Sequence, residues 1–171
     1  LILKNNSIEL STENAVYSYG KYYYAFSEAF KKLNIKEYAI KDVLILGLGM
    51  GSIIEILEEY FEHLSFTGVE KDSAVIELFK KYIVPKKTFN INICEEDAYE
   101  FVKDKKKSFD LINIDIFIND VIPHPFHDIS FLENTKKILT KNGIVLFNRL
   151  DTKASYRKYN KEYWDTKFLN V

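Results

Sequence analysis

The chain has 171 residues, 47% hydrophobic and 29% charged. This suits one soluble globular domain and excludes a disordered chain. The formal net charge of −1 and the single cysteine, Cys94, exclude general attraction to nucleic acid or anionic membranes, an internal disulfide and an all-cysteine zinc site. No apolar run approaches the roughly 18 residues of a membrane span and no signal peptide is visible, so the expected location is the cytoplasm.

In chain order, Leu1 to Leu3 and Ile8 to Leu10 flank a turn at Lys4 to Ser7 and read as a β-hairpin, to which Ala15 to Tyr17 adds a strand. Gly20 breaks it. Tyr22, Ala25, Phe26, Ala29, Phe30 and Leu33 have helical spacing and predict a covering helix. Residues 1–40 thus form an N-terminal hairpin and helix, and 41–171 a nucleotide-binding unit. Val43 to Leu46 is a buried strand, followed by Gly47, Gly49 and Gly51 and then by a helix from Ser52 to Glu62. A strand feeding a glycine turn that opens a helix lets a ligand approach bare backbone and free N–H groups. Strands follow at Ser65 to Glu70, Phe89 to Cys94, Phe109 to Ile114 and Ile144 to Phe147. Helices fall between them: one capped by Asp72 or Ser73 and ending near Tyr82, a short one after Asp97, and one from Asp128 to Leu139 ended by a turn at Asn142-Gly143. Thr152 to Trp164 reads as a last amphipathic helix. Five β-α repeats predict a doubly wound, mostly parallel α/β sheet. Leu1 and Val171 read as trimmed ends.

Ligands of such sheets bind at the carboxyl ends of the strands. Glu70 stands there, 19 residues after Gly51, near the spacing at which a carboxylate accepts both ribose hydroxyls. Asp97 serves either as a helix cap or as an acceptor for an adenine amino group. Asp115, inside an apolar run, needs a partner or a wet cavity and is the candidate base. His124 and His127 lie in the following loop and could serve as base or substrate contact; with no third ligand, no metal is expected. Tyr17, Tyr19, Tyr22, Tyr23 and Tyr24 either cover core or form a lid over a cation, with Tyr19 a candidate substrate contact. Arg149, at the end of the fifth strand, could pair with a cleft carboxylate or a substrate acid. Cys94 and Trp164 read as core.

These residues resemble the class I S-adenosylmethionine-dependent methyltransferase fold, and within it the spermidine synthase-like branch. The stretches Val43 to Gly51, Gly68 to Asp72, Cys94 to Phe101 and Phe109 to Phe117 carry the resemblance. It implies that Gly47, Gly49 and Gly51 cradle the methionine portion, Glu70 the ribose and Asp97 the adenine. Two positions depart from it. Spermidine synthases carry an aspartate in the glycine loop for the amine of decarboxylated S-adenosylmethionine; here that position is Met50. They carry a second aspartate three residues after the first on the active-site strand; here that position is Ile118, with Asn119 and Asp120 offering partial compensation from the loop. The expectation is therefore methyl transfer from S-adenosylmethionine to a small-molecule acceptor. The alternatives are aminopropyl transfer from decarboxylated S-adenosylmethionine to a polyamine, or a non-catalytic nucleoside-binding module. A nicotinamide dehydrogenase fits less well, because Ser52 stands at the last position of Gly-x-Gly-x-x-Gly. Exposed hairpin edges make a homodimer plausible.

Overall fold

A computed structural model describes residues 2–4, 7–11, 16–18, 20–86, 89–104, 107–118 and 121–149. Three short strands, β1 (Ile2–Lys4), β2 (Ser7–Ser11) and β3 (Val16–Ser18), pair antiparallel in that order. Helix α1 (Tyr24–Lys32) follows. The expected helix at Thr152 to Trp164 lies outside the described residues.

The rest is a five-stranded, all-parallel sheet. Its strands are β4 (Asp42–Leu46), β5 (Ser65–Glu70), β6 (Asn90–Glu95), β7 (Phe109–Ile114) and β8 (Leu139–Phe147), ordered β6-β5-β4-β7-β8. The helices between them are α2 (Ser52–Leu57), α3 (Ser73–Tyr82), α4 (Ala98–Phe101) and α5 (Ile129–Lys137). The expected α/β fold is therefore present. Strand β4 reads as one apolar run because both its faces are covered. Val43 and Ile45 join Phe26, Phe30, Ile53 and Leu57 on one side; Leu44 and Leu46 join Phe101, Ile112 and Phe131 on the other. All four strand residues are 0% exposed.

Two boundaries differ from expectation. Helix α2 stops at Leu57 and gives way to turns. The Asn142-Gly143 pair does not end a helix; it lies within β8, which starts at Leu139. Pairing jumps from Phe109↔Leu139 to Leu111↔Ile144, so β8 takes up extra residues in an irregularity. A Cβ on Gly143 would stand 2.7 Å from the Leu139 side chain and 3.0 Å from the Phe109 carbonyl oxygen. Asn-Gly here serves a strand irregularity, which local sequence does not distinguish from a turn.

The chain winds outward in both directions from the β4–β7 pair. Such a reversal opens a crevice beyond the carboxyl ends of those two strands, between the glycine turn and Asp115.

Candidate functional site

A cavity of about 410 Å³ occupies this crevice. Its floor is the glycine turn, which the chain holds through its own backbone. Gly47 N and Leu48 N donate to the Val69 carbonyl, and Gly51 N to that of Leu48. Gly47 has φ +88°, and a Cβ there would lie 2.2 Å from the Asp115 carbonyl oxygen. Glycine at this position lets two strand ends meet. Gly49 also lines the cavity. Gly51 does not stand among the lining residues; a Cβ there would meet the Phe79 ring at 2.6 Å, so packing behind the turn explains it.

Glu70 lines the cavity at the end of β5. Its Oε2 accepts from Gly49 N at 3.2 Å, and its Oε1 from Lys71 N at 3.0 Å and Asp72 N at 3.1 Å. A carboxylate offers about four acceptor sites, so three N–H groups fix Glu70 and, among the described residues, leave one site unused on a side chain that lines the cavity. Asp97 caps α4 through Oδ1, which accepts from Tyr99 N at 2.8 Å. Its Oδ2 lies 4.0 Å from Lys71 Nζ, and the residue lines the cavity. The cap and the cavity lining are thus one side chain with two oxygens.

Asp115 follows β7. Two side-chain donors among the described residues converge on its Oδ1: Asn148 Nδ2 at 2.9 Å and Tyr23 Oη at 3.2 Å. Asn148 Nδ2 also reaches Tyr23 Oη at 3.3 Å, closing a triangle. Residues from α1's leading edge, β7's end and β8's end meet here. Burial pushes the Asp115 carboxyl up to about 6, although the bonds from Asn148 and Tyr23 pull it down. Burial, followed by the charge and hydrogen bond of Asp115, raises the Tyr23 phenol far above its usual value, against the bond from Asn148. The phenol therefore remains a donor and Oδ1 an acceptor. The arrangement can orient a carboxylate whose pKa suits proton uptake near neutrality.

The remaining expected residues are scattered. His124 is exposed and does not line the cavity, whereas Phe126, in the same 3-10 turn (His124–His127), does. Residues two apart in that turn face different sides, at about 120° per residue. Asp120 and Tyr19 lie outside the described residues. Among the described tyrosines of this cluster, Tyr22 and Tyr24 are exposed, and Tyr23 reaches Asp115. Arg149 donates to His127 Nδ1 at 3.1 Å. Sequence reasoning missed the roles of Tyr23 and Asn148. Asn148 had a signal, as a polar residue at the end of the fifth strand beside Arg149. Tyr23 had none within its run of tyrosines. No group of three His, Cys, Asp or Glu side chains among the described residues could hold a metal ion, and no helix among them is long and apolar enough to cross a membrane.

Residues 26–165 match the spermine/spermidine synthase domain. The chain belongs to this family. A polyamine aminopropyltransferase of Vibrio vulnificus (strain CMCP6) is 28% identical over 135 residues, covering 73% of this chain and 45% of the relative. This family member thus spans about half the length of the curated relatives it matches. Spermidine synthase from Thermotoga maritima has the same fold, with a TM-score of 0.69 at 19% identity over 93% of this chain and 56% of that one. Human methyltransferase-like protein 13, solved with SAH, superposes with a TM-score of 0.64 at 18% identity, over 82% of this chain and 72% of that one.

These findings overturn the expectation that methyl transfer is the leading activity, since the family and the aminopropyltransferase relatives favour the alternative. The physical reason lies in one of the two residues that weighed against it; the other, Ile118, does line the cavity. Met50 is 1% exposed and packed in the core with Ile53 and Ile54; its side chain does not line the cavity. Its lack of charge therefore says little about what the cavity accepts.

Proposed function

We propose that this family member binds an S-adenosyl donor in the crevice and transfers an aminopropyl group from decarboxylated S-adenosylmethionine to an amine. The charge of the cavity carries this reading. Glu70, Asp72, Glu96, Asp97 and Asp115 line it against one basic side chain, Lys71. The N–H groups of Gly47, Leu48, Gly49 and Gly51 are all engaged within the protein, so the glycine turn offers little to a donor's carboxylate. A donor without that carboxylate, and a cationic acceptor, suit such a lining.

Glu70 and Asp97 hold the ribose and adenine through the oxygens left open to the cavity, and Gly47 and Gly49 let the donor lie against the backbone. The acceptor nitrogen forms a bond to the carbon beside the sulfonium. The carbon–sulfur bond breaks toward sulfur, leaving the neutral thioether methylthioadenosine, and the nitrogen's proton passes to Asp115 Oδ2. Oδ1 stays tied to Tyr23 and Asn148, so Asp115 keeps its aim. An activated sulfonium needs mainly alignment of the partners, and rigid neighbours supply it.

The test is methylthioadenosine release with 1,4-diaminobutane as acceptor and either form of the donor. Release with the decarboxylated donor alone supports the reading. Methylated amine from S-adenosylmethionine, or no release from either donor by folded protein, sinks it.

A further inference from the structure

We propose that Arg149 and His127 are positioning residues, clasping the turn that supplies the cavity's aromatic wall to the strand end that orients Asp115. The inference rests on the reading above in one respect: it takes the acceptor to lie between Asp115 and that wall. Consecutive residues after β8 do the two jobs. Asn148 donates to Asp115 Oδ1 at 2.9 Å, and Arg149 Nη1 donates to His127 Nδ1 at 3.1 Å. A guanidinium has only donors, so Nδ1 accepts and the ring proton sits on Nε2. Nε2 then donates to the Ile122 carbonyl at 3.2 Å. The imidazole bridges Arg149 to backbone five residues upstream and closes the segment Ile122 to His127 into one loop.

That loop carries Phe126, 4% exposed and part of the cavity lining. Its ring meets Phe131 edge-on at 5.0 Å and Tyr99 at 6.3 Å, so it can seat only one way if the loop is held. Arg149 is held in turn, its guanidinium 5.1 Å from the centre of the Phe147 ring, a favourable cation–π geometry. Without the clasp, the backbone bonds that tie the loop together are local ones: Ile118 N to Val121 O at 2.9 Å, Val121 N to Ile118 O at 3.2 Å and Phe126 N to Pro123 O at 3.1 Å. Local bonds fix the loop's shape but not its distance from β8. The clasp sets the gap between Phe126 and the Asp115 carboxylate, and with it the fit of the acceptor. Neither residue stands among those lining the cavity, where Glu70 and Asp97 mark the donor's end.

Amide hydrogen exchange and steady-state kinetics on Arg149→Ala, His127→Ala, the double variant and Arg149→Lys test this. Exchange at Ile118, Val121 and Phe126 should rise about tenfold in each alanine variant, with the amides of Gly47 and Val69 unchanged. The double variant should fall short of the sum of the singles, because both remove the Arg149–His127 bond. Arg149→Lys, which retains a donor, should restore part of the protection. With decarboxylated S-adenosylmethionine and 1,4-diaminobutane, KM for the amine should rise about tenfold, while kcat and donor KM stay within about twofold. Unchanged exchange in both single variants, additive effects in the double, or equal loss of donor and amine affinity overturns the clasp. Absence of turnover in the unaltered protein counts against the proposed function instead, and the exchange arm still decides the clasp.

Discussion

Two aspartates of one strand region, Asp110 within β7 and Asp115 just past it, show how surroundings assign chemistry. Burial pushes Asp110 up, but N–H groups of Asp42 and Lys41 and the Thr140 hydroxyl outweigh it and hold its carboxyl below the ordinary range. Among the described residues, the Asp115 carboxylate receives two side-chain donors on one oxygen, and burial wins. If Asp115 is the base, kcat/KM falls about tenfold per pH unit below about 6, a slope read from a pH–rate profile. Asp115→Asn keeps an oxygen where Tyr23 and Asn148 donate, so donor affinity should hold while turnover drops by roughly 10²-fold or more. The stability effect has a definite sign. Asp115 titrates higher in the folded state than the ordinary 3.8, so its contribution is full below 3.8 and lost as pH rises through about 6. Asp115→Asn should therefore raise Tm more at pH 8 than at pH 4; equal shifts would refute the buried charge. Nearby Asn113 is fully buried, and neither its Oδ1 nor its Nδ2 has a hydrogen-bond partner among the described residues. Such a group costs about 1–3 kcal/mol, so Asn113→Leu should raise the urea midpoint.

At the scale of elements, caps and turns fix where the site's side chains start from. Asp72 Oδ1 accepts from Ala74 N at 2.9 Å and Val75 N at 3.4 Å at the start of α3. Asp72→Ala should cost about 1 kcal/mol in chemical denaturation. The same residue's N–H donates to Glu70, so this cap also steadies the cavity. Gly47→Ala is a harsher change. It combines a positive φ with a clash against the Asp115 backbone, and strain alone costs roughly 1–3 kcal/mol. Ligand affinity and turnover should both fall, because the residue displaced is the one that carries the acid. Gly51→Ala should destabilise through Phe79 with less effect on turnover, and comparing the two variants separates packing from site geometry.

At the scale of the molecule, a chain with net charge −1 gathers five carboxylates around one cavity. Attraction of a cationic ligand into it is screened by salt, so apparent amine affinity should weaken steadily between low salt and about 0.5 M; an affinity independent of salt would count against the acidic lining. Much of this was legible in one dimension. The run Val43 to Leu46, the glycine spacing and the β-α alternation determine an open parallel sheet, because buried strands and amphipathic helices have few ways to cover one another. Glu70, Asp97 and Asp115 were legible too, since the carboxyl ends of parallel strands share one edge. Local pattern could not decide where separate elements converge. Tyr23 and Asn148 lie 125 positions apart and acquire meaning only where α1 and β8 both reach the end of β7. Met50 is core rather than lining because its side chain packs with Ile53 and Ile54 of the following helix, and Asn142-Gly143 is a strand irregularity because its neighbour β7 dictates the register. The sequence alone settled the alternation of strands and helices that builds the parallel sheet, and which of its strand ends carry acids. The tertiary structure decided which side chains face the cavity, because that depends on the packing of segments distant along the chain.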